Sequence, residues 1–335
     1  MTARGEKRQM AKRDSFGNKL LSIAELCRIA NLPSAWADIL CGWLVGESVA
    51  YESGGEHPHG LVLSLLLLAT SGLYLSGMVW NDVFDAETDL RERPYRPIPS
   101  GRVSRSSAAL LALALMGIGW ISGAAVSRHL HNSATVIIAS LLVACILLYD
   151  AGGKHFVWGV LWLGACRFGN VLLGASPWLT AAVVPASLVA LINGTYVVGL
   201  SVCARPEARP HEGVRRTLWL GALIVALALL GGLAVALAAQ QGAFGRLAWT
   251  RDCGLTVWLA VAALACAWAM NLAAVLVRAL RQPQPETLQA AVRRLLQGII
   301  FLDAFLALIF AGPVALMILL LGPVSQFLGR RFAPT

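Results

Sequence analysis

The sequence is poor in charged residues. Only 13% of its 335 residues are Asp, Glu, Lys or Arg, against a usual share of about 25%, whereas 57% are hydrophobic. This composition excludes a disordered chain, and apolar runs such as 61–68 and 315–321 exclude a water-soluble globular domain. The net charge of +9 comes from basic residues scattered between apolar segments, not from one patch. We therefore expect one integral membrane domain and no nucleic-acid partner.

Paired cysteines and a secretory leader are also missing. The seven cysteines contain no CxxC pair and lie mostly in apolar runs, so we interpret them as small hydrophobic residues and not as metal or disulfide sites. The first thirty residues carry charges throughout, so we expect no cleaved signal. No DGxxAR-type motif occurs, which leaves a lipid-linked alcohol phosphotransferase without support.

Span-length apolar segments, by contrast, are abundant. A helix crosses a bilayer with about 20 apolar residues, and a window of that length finds nine candidates. They lie at about 30–50, 60–80, 107–126, 133–149, 156–175, 179–203, 217–239, 253–277 and 298–321. The sequence thus predicts an all-α, nine-span membrane bundle. It has a basic N-terminal segment at 1–29, a single membrane domain at 30–322 and a short tail at 323–335.

The basic residues predict the orientation of this bundle, because cytoplasmic loops retain positive charge. Of the 27 lysines and arginines, 21 fall on one side of the nine-span model, five on the other and Arg167 inside a span. We therefore expect a cytoplasmic N-terminus and an outside C-terminus. Segment 282–297 combines leucines with Arg and Gln in a pattern that is typical of an amphipathic helix. We predict that it forms an interfacial helix before the ninth span.

A cluster of acidic residues, NDVFDAETD at 81–89, follows the second predicted span. If that helix continues to Pro94, about 100° per residue brings Asn81, Asp82, Asp85 and Asp89 within an arc of roughly 100°. Like charges at this spacing repel, so the three aspartates favour a cation. Oxygen ligands beside a basic loop suit Mg²⁺ bridging to a phosphorylated substrate. The alternative is a solvated, charged loop at the membrane surface.

The segment after this cluster adds a second signal. In the Arg-Pro run, Arg93 and Arg96 are placed to meet diphosphate oxygens. Together, NDVFDAETD and the RPIPSGRVS that follows closely resemble the first aspartate-rich motif, NDxxDxxxD, of the UbiA superfamily of intramembrane prenyltransferases. RIANLP at 28–33 resembles the opening of the family's first helix, and 149–154 resembles the region after its fourth. RxAN…ADILCG, CRFGN and ARPE are more similar to the UbiA-like EboC subgroup.

The resemblance implies a central cavity open sideways to lipid and capped by loops on the cytoplasmic side. It implies that Asn81, Asp82, Asp85 and Asp89 are catalytic, with the three aspartates holding Mg²⁺ and the diphosphate of a polyprenyl donor. The metal polarises the leaving diphosphate, and a nucleophilic acceptor captures the allylic carbocation. The expected substrate-binding residues are Arg93, Arg96, Tyr149, Lys154, Arg167, Asn170, Tyr196 and Glu207.

The sequence departs from the family at the second aspartate motif, after span six. Here the segment reads CARPEARPHEG at 203–213 and contains no aspartate. Glu207 and Glu212 are five residues apart with Pro210 between them, so we do not expect them to share a helical face. The arginines of this loop either offset diphosphate charge or are ordinary cytoplasmic positive charges. Tyr149 and Tyr196 either shield a carbocation or belong to an interfacial aromatic belt.

Polar residues inside the predicted spans are expected to have partners. Asp38, Arg167 and Asn193 each lie about eight to eleven residues from a cytoplasmic helix end, and a lone charge there costs at least about 2.5–3.5 kcal/mol. We predict that Asp38 pairs with Arg167, with Asn170 one turn away. The pair is either a clasp between spans one and five or a cavity floor that orients an acceptor. Gly117, Gly119 and Gly123 predict close helix packing.

The sequence favours a prenyltransferase that moves a polyprenyl group from its diphosphate to a small, aromatic or hydroxylated acceptor with the help of Mg²⁺. The missing second motif keeps open a different class, a non-catalytic binder or translocator of a lipid or prenylated metabolite. Membrane lipid is an expected partner, and no feature calls for a protein partner.

Overall fold

The computed structural model describes residues 19–52, 60–208, 213–244 and 255–332. Within these ranges every extended regular element is helical, which confirms the predicted all-α class. The helices are α1 (Leu32–Glu52), α2 (Gly60–Phe84), α3 (Ala86–Glu92), α4 (Arg105–His129), α5 (Ala134–Asp150), α6 (Gly159–Ala175), α7 (Leu179–Ala208), α8 (Val214–Gln240), α9 (Leu255–Arg281), α10 (Pro285–Ala311) and α11 (Leu321–Phe332).

Nine of these described helices, all but α3 and α11, have at least 17 residues, and each overlaps one of the nine predicted spans. By length and composition, six described segments are able to cross a membrane. They are Gly60–Phe84, Arg105–His129, Gly159–Pro206, Val214–Gln240, Ala262–Arg281 and Pro285–Phe332. Two of the six contain more than one helix, and the number of crossings stays a prediction.

The helices form two larger buried clusters. One joins α1 to α7 and α10, and the other joins α1 to α2, α4 and α5. Helix α1 thus contributes to both and lies centrally, packed against α6 and α10. Asp38, which lies on α1 and is fully buried, is for that reason surrounded by protein.

Small residues set the contact between α2 and α4. A Cβ atom on Gly72 would lie 2.5 Å from the carbonyl oxygen of Leu115, and one on Gly119 would lie 2.8 Å from the carbonyl oxygen of Ala69. The predicted close packing is thus confirmed for Gly119, and also for Gly123, where a Cβ would approach Ala139 at 3.1 Å. It is wrong for Gly117, which has open space around it.

The second predicted span does not continue as one helix to Pro94. Helix α2 ends at Phe84, Asp85 has φ −84° and ψ 0°, and α3 follows as a separate short helix. Backbone hydrogen bonds from Asp85 N to Asn81 O and from Asp89 N to Asp85 O nevertheless cross the break. The hydrogen-bond spacing is therefore still helical, which is why sequence periodicity did not reveal the interruption.

The chain after residue 281 differs from the prediction in two ways. Segment 282–297 is not a separate interfacial helix, because α10 is continuous from Pro285 to Ala311. After α10, a 3₁₀ helix (Gly312–Leu320) and α11 return along the bundle, and Ser325 donates a hydrogen bond of 2.9 Å to the carbonyl oxygen of Ala30.

This return of the chain changes the predicted position of its C-terminal segment. Phe332 lines the same cavity as Arg28, so these residues lie at one end of the bundle. The prediction that the C-terminal segment ends on the side opposite residue 28 is wrong, because residues 298–321 do not make one straight crossing. The predicted tail from residue 323 is helical as far as Phe332.

Candidate active site

The carboxylate of Asp82 lies at the centre of a charged cluster where α2 ends. Arg28 Nη2 donates to Asp82 Oδ1 at 2.8 Å, and Arg96 Nη1 approaches the same oxygen at 3.2 Å. The Asp82 side chain is only 6% exposed. A carboxylate removed from water in this way is stable as an anion only with such partners.

Arg28 reaches Asp82 from an unusual backbone conformation. Its φ and ψ are both 46°, the left-handed region that a non-glycine residue rarely adopts. The turn joins the helical residues 19–26 to the 3₁₀ helix Ile29–Asn31 that precedes α1. The guanidinium also lies 3.4 Å from Asn81 Oδ1, so the strained turn places one cation against two residues of the acidic motif.

Arg96 joins the two ends of the acidic motif. Its Nη1 lies 2.6 Å from Asp89 Oδ2 as well as 3.2 Å from Asp82, and the Asp89 side chain is only 4% exposed. Helix α3 carries Asp89, and the turns after it carry Arg96 back towards α2. The break at Asp85 thus lets one arginine bridge two carboxylates.

The remaining members of the motif point to the end of α5. Lys154 Nζ lies 2.7 Å from Asp85 Oδ1, and Asn81 Nδ2 donates to Asp150 Oδ1 at 3.1 Å. Asp150 is the last residue of α5, beyond its apolar part. Burial raises the pKa of the Asp150 carboxyl to about 6, although Asn81 and Lys154 act against that rise.

The sequence predicted that the three aspartates share one helical face. This prediction is wrong. Asp82 and Asp89 converge on Arg96, whereas Asp85 turns towards Lys154. Among the described residues, no three His, Cys, Asp or Glu side chains are arranged to hold a metal ion together. The donors are nevertheless all carboxylate or amide oxygens, and each aspartate already faces a cationic group. In its chemistry this donor set fits Mg²⁺, a hard cation that prefers oxygen.

Below this charged cluster lies a cavity of about 290 Å³, which we call the donor cavity. Arg28, Asn81 and Asp150 line one end, and Thr70 and Arg167 line the other. Thr70 and Asn81 are 11 residues apart on α2, or roughly 16 Å at 1.5 Å per residue. Between the two ends the wall is largely apolar; it includes Leu73, Gly77, Met78, Leu142, Ile146, Val197 and Leu200. The cavity thus combines a charged mouth, an apolar wall and a polar floor.

The floor of the donor cavity contains the ion pair that the sequence predicted between Asp38 and Arg167. Arg167 Nη1 lies 2.8 Å from Asp38 Oδ2, with the Asp38 side chain fully buried. Asn170 Nδ2 donates to the same Asp38 oxygen at 2.9 Å, and its own Oδ1 accepts from Thr70 at 2.8 Å. The Arg167 guanidinium also lies 5.8 Å from the centre of the Tyr74 ring. The predicted contact between Asp38 and Arg167, and the nearby position of Asn170, are confirmed.

Behind the floor is a carboxylate that sequence reasoning missed. Asn193 Nδ2 donates to Asp38 Oδ1 at 3.3 Å and to Asp303 Oδ1 at 2.5 Å, and Asp303 is fully buried in α10. The signal was available, because Asp303 is a charged residue inside the ninth predicted span, as Asp38 is inside the first. The same rule about buried charges would have selected it. Asp150 was missed although it lies in segment 149–154, from which only Tyr149 and Lys154 were selected.

The other predicted residues lie in different places. Tyr149 lines the donor cavity, whereas Tyr196 is fully buried outside its lining and donates a hydrogen bond to the carbonyl oxygen of Leu295 at 2.9 Å. Arg93 has no ion pair with a described residue. The side chain of Glu207 lies outside the described part of the structure, as do residues 209–212 of the same loop.

Comparison with known proteins gives three consistent findings. Residues 40–286, about three quarters of the chain, match the sequence model of the UbiA prenyltransferase family. Over 173 residues the chain is 32% identical to the digeranylgeranylglyceryl phosphate synthase of Saccharolobus solfataricus, covering 50% of this chain and 57% of that protein. The enzyme of the same name from Methanothrix thermoacetophila is 35% identical over 131 residues, covering 39% and 45%. The chain spans about half the length of these relatives.

Solved structures resemble the whole fold. One described as a digeranylgeranylglyceryl phosphate synthase in membranes has a TM-score of 0.59 at 20% identity, and it covers 88% of this chain and 99% of that one. A UbiA homologue from Archaeoglobus fulgidus, bound to GPP and Mg²⁺, has a TM-score of 0.56 at 13% identity, with 89% and 99% covered. At these identities the likeness establishes the fold. The subgroup suggested by the sequence stays a prediction.

Proposed function

Because the chain belongs to the UbiA prenyltransferase family, we propose that it transfers a prenyl group from a prenyl diphosphate to a small, aromatic or hydroxylated acceptor inside the membrane. The observation that carries the proposal is the donor cavity, whose apolar wall ends at Arg28, Asn81 and Asp150, with the ion pairs of the motif aspartates directly behind them. A prenyl diphosphate has the same division, with an apolar chain and an anionic end. The relative from Archaeoglobus fulgidus binds such a molecule.

At the mouth, Arg28, Arg96 and Lys154 are the groups that would bind the diphosphate. Guanidinium groups match phosphate oxygens in geometry, and all three cations are already held in place by Asp82, Asp85 and Asp89. The three aspartates would hold Mg²⁺, which would neutralise charge on the leaving diphosphate. Arg93 and Tyr196 have no part in this proposal, because Arg93 has no ion pair with a described aspartate and Tyr196 is buried outside the cavity lining.

In the reaction, the bond between C1 of the prenyl chain and the diphosphate oxygen breaks, and the diphosphate keeps the electron pair. An acceptor atom forms a bond to C1 and loses its proton. The apolar wall keeps water away from C1, and Tyr74 and Tyr149 present aromatic rings to the cavity. At the floor, Arg167 and Asn170 would hold a polar group of the acceptor, while the buried Asp38 keeps both side chains in place.

We further propose that the nine long helices each cross the membrane and that the mouth faces the cytoplasm. The support is the excess of Lys and Arg at this end. The return of the chain to the mouth through α11 adds Arg330 to the basic side, so the charge difference is larger than the sequence alone suggested.

A non-catalytic carrier of a lipid or prenylated metabolite is the second candidate. It is favoured by two observations: each motif aspartate is already neutralised by a cation, and segment 203–213 contains Glu207 and Glu212 but no aspartate. A carrier would use the same cavity and would return its ligand unchanged.

The deciding experiment is diphosphate release by purified protein. Labelled prenyl diphosphates of several chain lengths are incubated with the protein, Mg²⁺ and a membrane metabolite extract. We expect diphosphate release that Asp85→Asn abolishes. Glu92→Gln serves as the matched control, because Glu92 is an exposed acid on α3 with no ion pair to a described residue. Saturable binding with intact diphosphate recovered would support the carrier instead.

A further inference from the structure

A second and larger cavity, of about 1220 Å³, lies beside the donor cavity at the same end of the bundle. Its walls come from the last turns of α9, the first turns of α10, the helix α11 and the chain before α1. The two cavities share Arg28 and Leu296 in their linings. We call this space the arginine cavity, after the six arginines that line it: Arg28, Arg96, Arg278, Arg293, Arg294 and Arg330.

The charges in this cavity do not balance. Arg28 and Arg96 are neutralised by Asp82 and Asp89. The other four arginines have no carboxylate partner among the residues that the structure describes. The lining contains two acids, of which Glu25 is paired at 2.7 Å with Arg102, outside the cavity, and only Glu286 is left. Four guanidinium groups around one space repel each other, so the cavity favours an anion of high charge.

The lining also has an apolar side. Val275, Leu296 and Ile300 line the cavity together with the arginines. Arg293 and Ile300 are seven residues apart on α10, or roughly 10 Å. Leu296 and the neighbouring Ile299 belong to the donor cavity as well. A ligand that fills the space therefore has an anionic end among the arginines and an apolar part directed at the donor cavity.

We propose that the four arginines of the arginine cavity without a carboxylate partner, Arg278, Arg293, Arg294 and Arg330, bind the phosphate group of an amphiphilic ligand, at a site that adjoins the diphosphate site at Arg28 and Arg96. Guanidinium groups pair with phosphate oxygens in bidentate geometry, and basic pockets between membrane helices suit anionic headgroups. Such a phosphate has two sources, a phosphorylated acceptor or a membrane phospholipid. Assignment to the acceptor rests on the proposed prenyl transfer, whereas phosphate binding itself does not.

The chain offers matched pairs of arginines for a binding test. Arg278 and Arg330 line the cavity, whereas Arg281 and Arg331, on the same two helices, are exposed and do not. Detergent-purified protein is titrated calorimetrically with dihexanoyl phosphatidic acid, and with dihexanoylglycerol as the ligand without phosphate. We expect the double variant R278Q/R330Q to bind phosphatidic acid at least about tenfold more weakly than wild type. The double variant R281Q/R331Q removes equal charge and should stay within about twofold.

Two results would overturn the proposal. One is an equal loss in both double variants, which would mean unspecific attraction to a basic surface. The other is equal binding of phosphatidic acid and dihexanoylglycerol. All four arginines are exposed, so folding should not be affected, and thermal unfolding checks this. If R278Q/R330Q nevertheless unfolds, Arg294→Gln, at another exposed position of the lining, gives the same comparison against Arg281→Gln.

Lysophosphatidic acid distinguishes the two sources, because it carries phosphate and a free hydroxyl. It is incubated with labelled prenyl diphosphate and Mg²⁺. If its hydroxyl oxygen forms the bond to C1, with loss of the proton and departure of diphosphate, the labelled ether supports a phosphorylated acceptor. Binding without product supports a membrane phospholipid. The two proposals can fail separately. If no prenyl diphosphate is cleaved under any condition, but R278Q/R330Q still binds phosphatidic acid more weakly than wild type, the proposed prenyl transfer is wrong and the phosphate site is supported.

Discussion

Arg167 and Asp38 form an ion pair inside the bundle, with 2.8 Å between Nη1 and Oδ2. The pair connects α6 to α1, and Arg167 also lines the floor of the donor cavity. The position of Arg167 is therefore compatible with both roles that the sequence left as alternatives, the clasp between two helices and the floor that orients an acceptor, and both stay predictions.

Removal of one partner of this pair should strongly destabilise the protein. Asp38→Asn leaves the Arg167 charge buried and unpaired, and we expect a loss of about 3–5 kcal/mol in the free energy of unfolding. Thermal unfolding in detergent measures it. The control is Glu87→Gln, which breaks an exposed pair with Arg105 (3.4 Å, side chains 87% and 52% exposed) and should cost less than about 1 kcal/mol.

The double variant Asp38→Asn with Arg167→Gln tests the coupling, because both charges are then absent. We expect it to be less destabilised than the sum of the single variants by at least about 1 kcal/mol. Strict additivity would mean that the two side chains do not interact in the protein. The reversed pair, Asp38→Arg with Arg167→Asp, should recover little, because Asn170 and Asn193 both donate to Asp38 and would then face an arginine.

Arg96 and Arg93 should differ in their importance, although the sequence predicts similar roles for them. Arg96→Gln removes the bridge between Asp82 and Asp89, so we expect about 100-fold weaker Mg²⁺-dependent binding of a non-hydrolysable prenyl diphosphate analogue. Arg93→Gln should change it by less than about threefold. Isothermal titration gives both affinities. Similar losses in the two variants would contradict the proposed diphosphate site at the mouth of the donor cavity.

Asp85→Asn should abolish Mg²⁺-dependent binding of the same analogue, with Asp82→Asn and Asp89→Asn nearly as severe. Each substitution removes one of the carboxylates proposed to hold the metal, and none alters an apolar contact. Glu207→Gln is expected to have a smaller effect. Titrations with and without Mg²⁺ separate loss of the metal from loss of the fold. Equal affinity of wild type and Asp85→Asn would mean that Asp85 does not hold the metal.

Gly72→Ala should destabilise the contact between α2 and α4 by about 1–3 kcal/mol, because the added methyl would overlap the backbone at Leu115 and Gly119. The control is Gly117→Ala on α4, where nothing lies within 4 Å of the added Cβ. That change should be neutral or slightly stabilising, since alanine favours a helix. Thermal unfolding measures the stability of both variants. Equal stability of Gly72→Ala and Gly117→Ala would contradict the close contact at Gly72.

Cysteines at positions 92 and 326 should react from the same side of the membrane, and a cysteine at position 133 from the other. Position 92 lies beside the mouth, 326 lines the arginine cavity on α11, and 133 precedes α5 at its far end. Sealed vesicles and an impermeant thiol reagent give the result, in a background without accessible native cysteines. Labelling of 326 and 133 together would restore the topology predicted from the sequence.

Much of this arrangement is readable from the sequence, because membrane helices obey simple rules of length and charge. The pair of Asp38 and Arg167 follows from the cost of a lone buried charge. The interruption at Asp85 was not predictable, since hydrogen bonds at helical spacing continue through it. The return after Ala311 was hidden for another reason: Gly312–Leu320 is apolar throughout, so a span-length window merged it with the end of α10 into one predicted span.

The contact between Ser325 and Ala30 joins residues that are 295 positions apart. During synthesis at 5–20 residues per second, Ala30 would wait about 15–60 s for its partner. The aspartate motif and its arginine partners are complete long before that moment, whereas the wall formed by α11 is added last. Of the described helices α11 is synthesised last, so the arginine cavity lacks this wall until residues 321–332 have been made.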